Sequence, residues 1–156
     1  MTAWSKSISV ENPKPPDAVN VLEVNALHAS IGGSRILRGI HFVIPEKSVF
    51  CLMGRNGVGK TSTLRAVVGL LAPEAGSITL NGNRVHRMRP EERARHGISY
   101  VPQGREIFPH LTVGENLKIG AVARNKKSGS QLDRVFTLFP ILKEFLPRKG
   151  GMLSGG

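Results

Sequence analysis

Apolar positions in the first half of the chain mostly follow the alternation of strands; the later ones follow the spacing of helices. Residues 21–29 (VLEVNALHA) place Leu22, Val24 and Ala26 on one face and predict a strand. Gly32-Gly33-Ser34 predicts a turn. Over residues 36–44, Ile40, Phe42 and Ile44 alternate in a second strand that Pro45 ends. Residues 49–53 (VFCLM) are apolar throughout, as a strand covered on both faces would be. After Lys60, the positions of Leu64, Val67, Val68 and Leu71 match i, i+3, i+4, i+7, predicting a helix with one stripe toward a sheet and Pro73 as its stop. Residues 78–80 and the segment around Val85 flank Asn81-Gly82, a strong hairpin signal. Residues 90–96 predict a short helix, with Pro90 near its first position and Gly97 past its end. Residues 98–101 predict another buried strand, which leaves through the loop Pro102-Gln103-Gly104.

Helical spacing dominates from residue 112 onward. Thr112 and Glu115 match a capping box, with Val113, Leu117 and Ala121 behind it. Residues 125–129 read as a polar, basic loop. Ser130 and Asp133 repeat the capping pattern before Leu132, Val135, Phe136 and Phe139. No internal repeat is visible.

The clearest chemistry lies between residue 49 and residue 64. The run Gly54-Arg55-Asn56-Gly57-Val58-Gly59-Lys60-Thr61 fits G-x-x-x-x-G-K-[ST] without a mismatch. Glycines at Gly54, Gly57 and Gly59 let the backbone take positive φ, so that Asn56, Gly57 and Val58 can approach an anion. The helix that follows adds the N–H groups and positive dipole end of its first turn, where Ser62 also lies. In this pattern Lys60 reaches the β- and γ-phosphates and the Thr61 hydroxyl binds Mg²⁺. A strand-to-helix phosphate loop with antiparallel strands before it and helices after it implies a mixed α/β domain whose late helices form a separate lobe.

Composition narrows the class. The 156 residues are enough for one domain with a core, and no apolar run is long enough to span a membrane. Residues 1–20 contain Pro13, Pro15, Pro16 and Trp4, with no apolar core segment, and predict a flexible tail before a domain at 21–156. The single cysteine, Cys51, fits a reducing compartment and is expected as a small buried hydrophobe. A formal net charge of +11 would suit nucleic acid, an anionic membrane surface or an acidic partner. The basic residues are scattered, however: Arg84, Arg87, Arg89, Arg93 and Arg95, then Arg124, Lys126 and Lys127, then Lys143, Arg148 and Lys149. With no aromatic residues among them for base stacking, they read as a solvated surface.

Three motifs stand in order: the phosphate loop, a strand leading to Gln103, and Leu153-Ser154-Gly155-Gly156. Together they resemble the ATP-binding subunit of an ABC transporter, from residue 21 to residue 156. The resemblance implies a P-loop NTPase fold (the ABC ATPase) with an antiparallel β subdomain and a helical subdomain. Residues 32–37 (GGSRIL), 54–59 (GRNGVG) and 100–109 (YVPQGREIFP) are similar to the urea-importer ATPases, close relatives of the branched-chain amino acid importer ATPases.

The same resemblance implies a mechanism. Two ATPase domains, identical or paralogous, sandwich two ATP molecules with Mg²⁺. Each ATP lies between one domain's phosphate loop and the Ser154, Gly155 and Gly156 of the other. Gln103 matches the loop glutamine that senses Mg²⁺ and the attacking water. Implied partners are transmembrane permease subunits and, through them, a periplasmic or extracellular solute-binding protein. The implied place is the cytoplasmic face of the cell membrane, and no nucleic acid is expected.

Two departures qualify the resemblance. Ile31 stands where the family stacks an aromatic residue on adenine. The sequence also ends within the signature motif, before its glutamine, the Asp-Glu strand and the switch histidine. Residues 1–156 alone are therefore expected to be inactive in hydrolysis, and to be short of the strand next to 49–53. Three functions stay open: the motor of an importer of urea or branched-chain amino acids, a non-hydrolytic nucleotide-binding fragment, and a soluble ABC protein acting on ribosomes or nucleic acid.

Overall fold

The computed structural model describes residues 19–104, 106–122 and 129–153. The chain divides into two compact units, Met1–Ile98 and Ser99–Gly156. The N-terminal tail through residue 18, including Trp4, lies outside the described residues.

In the first unit, β1 (Asn20–Ile31), β2 (Ser34–Pro45), β3 (Ala75–Leu80) and β4 (Asn83–Arg84) form one sheet in the order β2-β1-β3-β4. Every pairing is antiparallel. Both predicted turns form. Gly32 and Gly33 take φ of 56° and 79° between the paired residues Ile31 and Ser34. Asn81 and Gly82 take φ of 48° and 77° between Leu80 and Asn83. Positive φ at both central positions matches the turn to the twist of its strands.

The alternation in β1 breaks once. Register shifts between Val24 and Leu27, and Ala26, at φ 45°, faces solvent instead of the core. This bulge corrects the expected face: Leu22, Val24, Leu27 and Ala29 are the buried positions. Gly76 on β3 lies against the bulge with φ 91°, and a Cβ there would run into the carbonyls of Asn25 and Ala26. The core joins these β1 residues to Leu37, Phe42, Ile78, Leu80 and Val85, with Ala66 and Val67 packed from the first helix.

That helix, α1 (Lys60–Val68), buries Thr63, Ala66 and Val67. Its buried stripe is rotated from the expected one, and Leu64 is exposed. The Thr63 hydroxyl can be buried because it donates to the Gly59 carbonyl at 2.9 Å. Gly69, at φ 90°, ends the helix well before Pro73. Its N–H donates to the Ala66 carbonyl, and the Leu70 N–H donates to that of Arg65, as in a left-handed C-cap.

Two predicted strands are absent. Residues 49–53 belong to no strand or ladder, with Val49 97 % exposed and Cys51 exposed rather than buried. Only Phe50 and Leu52 turn partly inward, and Phe50 stacks on Phe42 at 5.0 Å. Residues 98–101 also lack strand structure, and Val101 is 90 % exposed. A strand exists only through its neighbour's hydrogen bonds, and among the described residues none pairs with either segment.

The short helix α2 (Pro90–Arg95) starts at Pro90, and Gly97 follows it at φ 107°. It contributes a side chain that the scattered-surface reading misplaced. Arg93 is 2 % exposed, the buried charge among the described residues. Its guanidinium donates to the carbonyls of Ala66 (2.7 Å), Val67 (2.8 Å), His86 (2.9 Å) and Met88 (3.0 Å). Burial lowers its pKa.

The second unit holds α3 (Val113–Val122), α4 (Gly129–Leu138), α5 (Leu142–Phe145) and a 3-10 turn at Gly150–Met152. The Thr112 cap forms as expected. The Glu115 N–H donates to the Thr112 hydroxyl at 3.2 Å, and the Thr112 N–H donates to the Glu115 carboxylate at 2.7 Å. Ser130 lies within α4 as described, and the segment before that helix lies outside the described residues. Phe139 lies beyond the end of α4 and is exposed. Asn116 ties the preceding loop to α3, accepting from the Phe108 N–H and donating to the Phe108 and Thr112 carbonyls. Backbone bonds from Gly150 to Leu111 and from Gly151 to Pro109 lace the approach to Leu153 onto the same loop.

Two substitutions in the full-length chain test these contacts. Gly76→Ala should lower the unfolding free energy by about 1–3 kcal/mol, because alanine is strained at this φ and meets backbone at the bulge; an unshifted urea midpoint would contradict the close approach. Thr112→Ala should cost about 1 kcal/mol at neutral pH. Bonds from the Thr112 backbone and side chain lower the Glu115 pKa. That contribution is complete above the unfolded pKa and is lost as pH falls through the folded one. The difference between Thr112→Ala and wild type should therefore shrink in acid, and a gap that widens there would refute the cap.

Candidate nucleotide-binding site

Residues 54–62 form one continuous cradle that follows segment 49–53 and runs into the first turn of α1. Gly54, Gly57 and Gly59 have φ of 152°, 82° and 101°. A Cβ at Gly57 would meet nothing within 4 Å, so that position is open. One at Gly59 would lie 3.1 Å from Leu37 Cδ2 and 3.4 Å from the Ile36 carbonyl. The glycine therefore also seats the loop on β2.

Helix α1 begins at once. Its N-cap is Gly59, without a side-chain cap, and the Thr63 N–H donates to the Gly59 carbonyl at 2.8 Å. The first turn is thus left for an anion rather than for a capping hydroxyl. Asn56, Gly57, Val58 and Thr61 are exposed, and Lys60 and Ser62 are half-buried. The Lys60 ammonium donates to the carbonyls of Gly54 (2.6 Å) and Arg55 (2.8 Å), which holds its charge across the mouth of the loop. Positive φ, an open Gly57, an uncapped helix start and a cation held there all fit a nucleotide phosphate chain.

The other expected residues lie elsewhere. Ile31 ends β1 beside the Gly32-Gly33 turn and is 46 % exposed. Gln103 is exposed on a loop of the second unit, just before Gly104 at φ 97°. Ser154, Gly155 and Gly156 are outside the described residues. No three metal-ligating side chains converge among the described residues. Mg²⁺ held by one hydroxyl, phosphate oxygens and water needs no such cluster.

A glycine-rich loop of this form, leading directly into a helix, defines a P-loop nucleotide-binding protein. The chain matches the ABC transporter family over residues 37–156 and belongs to it. It is 36 % identical over 137 residues to the probable branched-chain amino acid transport ATP-binding protein LivF of Archaeoglobus fulgidus, covering 87 % of this chain and 58 % of that protein. The Fe(3+) ions import ATP-binding protein FbpC 2 of Rhodococcus jostii is 34 % identical over 135 residues, covering 86 % and 39 %. A solved ATP-binding subunit of an ABC transporter superposes with a TM-score of 0.75 at 28 % identity, over 86 % of this chain and 56 % of that one. A nucleotide-free ATP-binding cassette shares the fold at a TM-score of 0.69 and 22 % identity, over 88 % and 60 %. The chain therefore spans less than two thirds of these relatives.

Ile31→Tyr should tighten Mg-ATP binding several-fold in calorimetry, since an aromatic platform adds roughly 0.5–1.5 kcal/mol beyond burial. Weaker binding would show that adenine does not lie at the hairpin tip.

Proposed function

We propose that this chain is the nucleotide-binding portion of the ATPase subunit that powers an ABC importer of a small polar solute. The observation that carries the reading is the Gly54–Thr61 loop, seated on β2 and opening into the uncapped start of α1. ATP would supply the phosphoryl group whose loss reopens a closed pair of subunits. The loop N–H groups bind phosphate oxygens, Lys60 offsets their charge, and the Thr61 hydroxyl ligates Mg²⁺. Ile31 covers the adenine ring by apolar contact. By the family resemblance, Gln103 would orient the attacking water and help hold Mg²⁺, and Ser154, Gly155 and Gly156 would serve the nucleotide of a second ATPase subunit. The subunit sits against transmembrane permease partners at the cytoplasmic face of the membrane. A solute-binding protein delivers to those partners.

Urea and branched-chain amino acids are the two solutes we infer. Residues 100–109 support urea, and the likeness to LivF supports the amino acids. Uptake of labelled urea and of labelled leucine in cells lacking the gene separates them.

Lys60→Ala in the full-length chain should abolish Mg-ATP binding measured by calorimetry, because a neutral side chain cannot balance the triphosphate. Wild-type affinity in that variant would rule out the loop as the site.

A further inference from the structure

The hydrogen bonds of Arg93 all lie outside the cradle, and two of them hold the other end of the cradle's helix. Its Nη1 donates to both Ala66 and Val67, carbonyls of the last turn of α1. Its Nη2 and Nε donate to His86 and Met88, in the segment between β4 and α2. One planar group thus ties the carboxyl end of α1 to a second stretch of chain. Room for it is built in: a Cβ at Gly69 would lie 3.1 Å from Arg93 Nε, and the backbone turns away there at φ 90°. The apolar anchorage of α1 is slight, since Ala66 and Val67 are its only buried hydrophobic side chains. A short helix on so small a face can roll or tilt.

We propose that Arg93 is a positioning residue for nucleotide binding. By fixing the carboxyl end of α1, it sets the direction in which the amino end presents its N–H groups and Lys60. It also places a cation at the negative end of the helix dipole. Ala66 and Val67 lie six and seven residues past Lys60, roughly 9–10 Å along the axis at 1.5 Å per residue, so Arg93 acts on the first turn through the helix. This inference rests on reading the loop as the ATP site.

The test measures Mg-ATP affinity by calorimetry and thermal unfolding in the full-length protein. It compares wild type, Lys60→Ala, Arg93→Met, Arg93→Lys and Val85→Ala. Val85 is fully buried in the same core and lies outside the cradle, so its truncation is a stability control. Arg93→Met should weaken Mg-ATP by about tenfold, the scale of losing charge-assisted bonds that orient a binding element. Arg93→Lys keeps the cation but cannot span four carbonyls, and should recover part of the loss. Val85→Ala should stay within about twofold of wild type. Wild-type affinity in a folded Arg93→Met, or an equal loss in Val85→Ala, would overturn the proposal. Should Arg93→Met fail to fold, Arg93→Lys decides: wild-type affinity overturns it, and weakening beyond Val85→Ala supports it. Nucleotide binding that survives Lys60→Ala would instead defeat the site itself.

Discussion

A guanidinium cannot stay inside a protein without acceptors, and the acceptors it needs dictate what must surround it. Arg93 draws its four from backbone carbonyls of the last turn of α1 and of the segment between β4 and α2. That choice has structural consequences. Helix α1 must end where its last carbonyls can be reached, so Gly69 must turn the chain. The segment after β4 must run close by, with Val85 turned into the core. Proline at the start of α2 then sets Arg93 on the inward face. This one group ties the phosphate-loop helix and the segment after β4 to α2, while apolar packing joins that helix to the sheet.

Local chemistry was legible from the residues. Both hairpin turns, the Thr112 cap, the ends of α2 and the phosphate loop each depend on a few neighbouring side chains and on positive φ at particular glycines. What depended on distant partners was not legible. Residues 49–53 look uniformly apolar, yet of them Phe50 alone packs against the core, because strand status comes from a neighbour rather than from composition. The bulge at Ala26 needs the close approach of Gly76, fifty residues away. Arg93 sits in a run of arginines, and nothing in the sequence separates it from Arg89 or Arg95. Its signal is a concave arrangement of carbonyls that exists only after folding.

The second unit shows a different economy. Asn116, Thr112 and Glu115 are polar, yet they organise the loop from Ile107 to Leu111 and the path to Leu153. Hydrogen bonds do there what apolar burial does in the first unit. Val113 and Gly150 are its buried residues among those described, so its shape rests on satisfied backbone groups, with few large side chains to lock it.

The Lys60 ammonium already has two oxygen partners, the carbonyls of Gly54 and Arg55. An ammonium has three N–H donors, so one is left for a ligand while these two bonds stay made. The two carbonyls then act as a tether, and a triphosphate meets a cation whose position is already fixed rather than one that must be gathered from solvent.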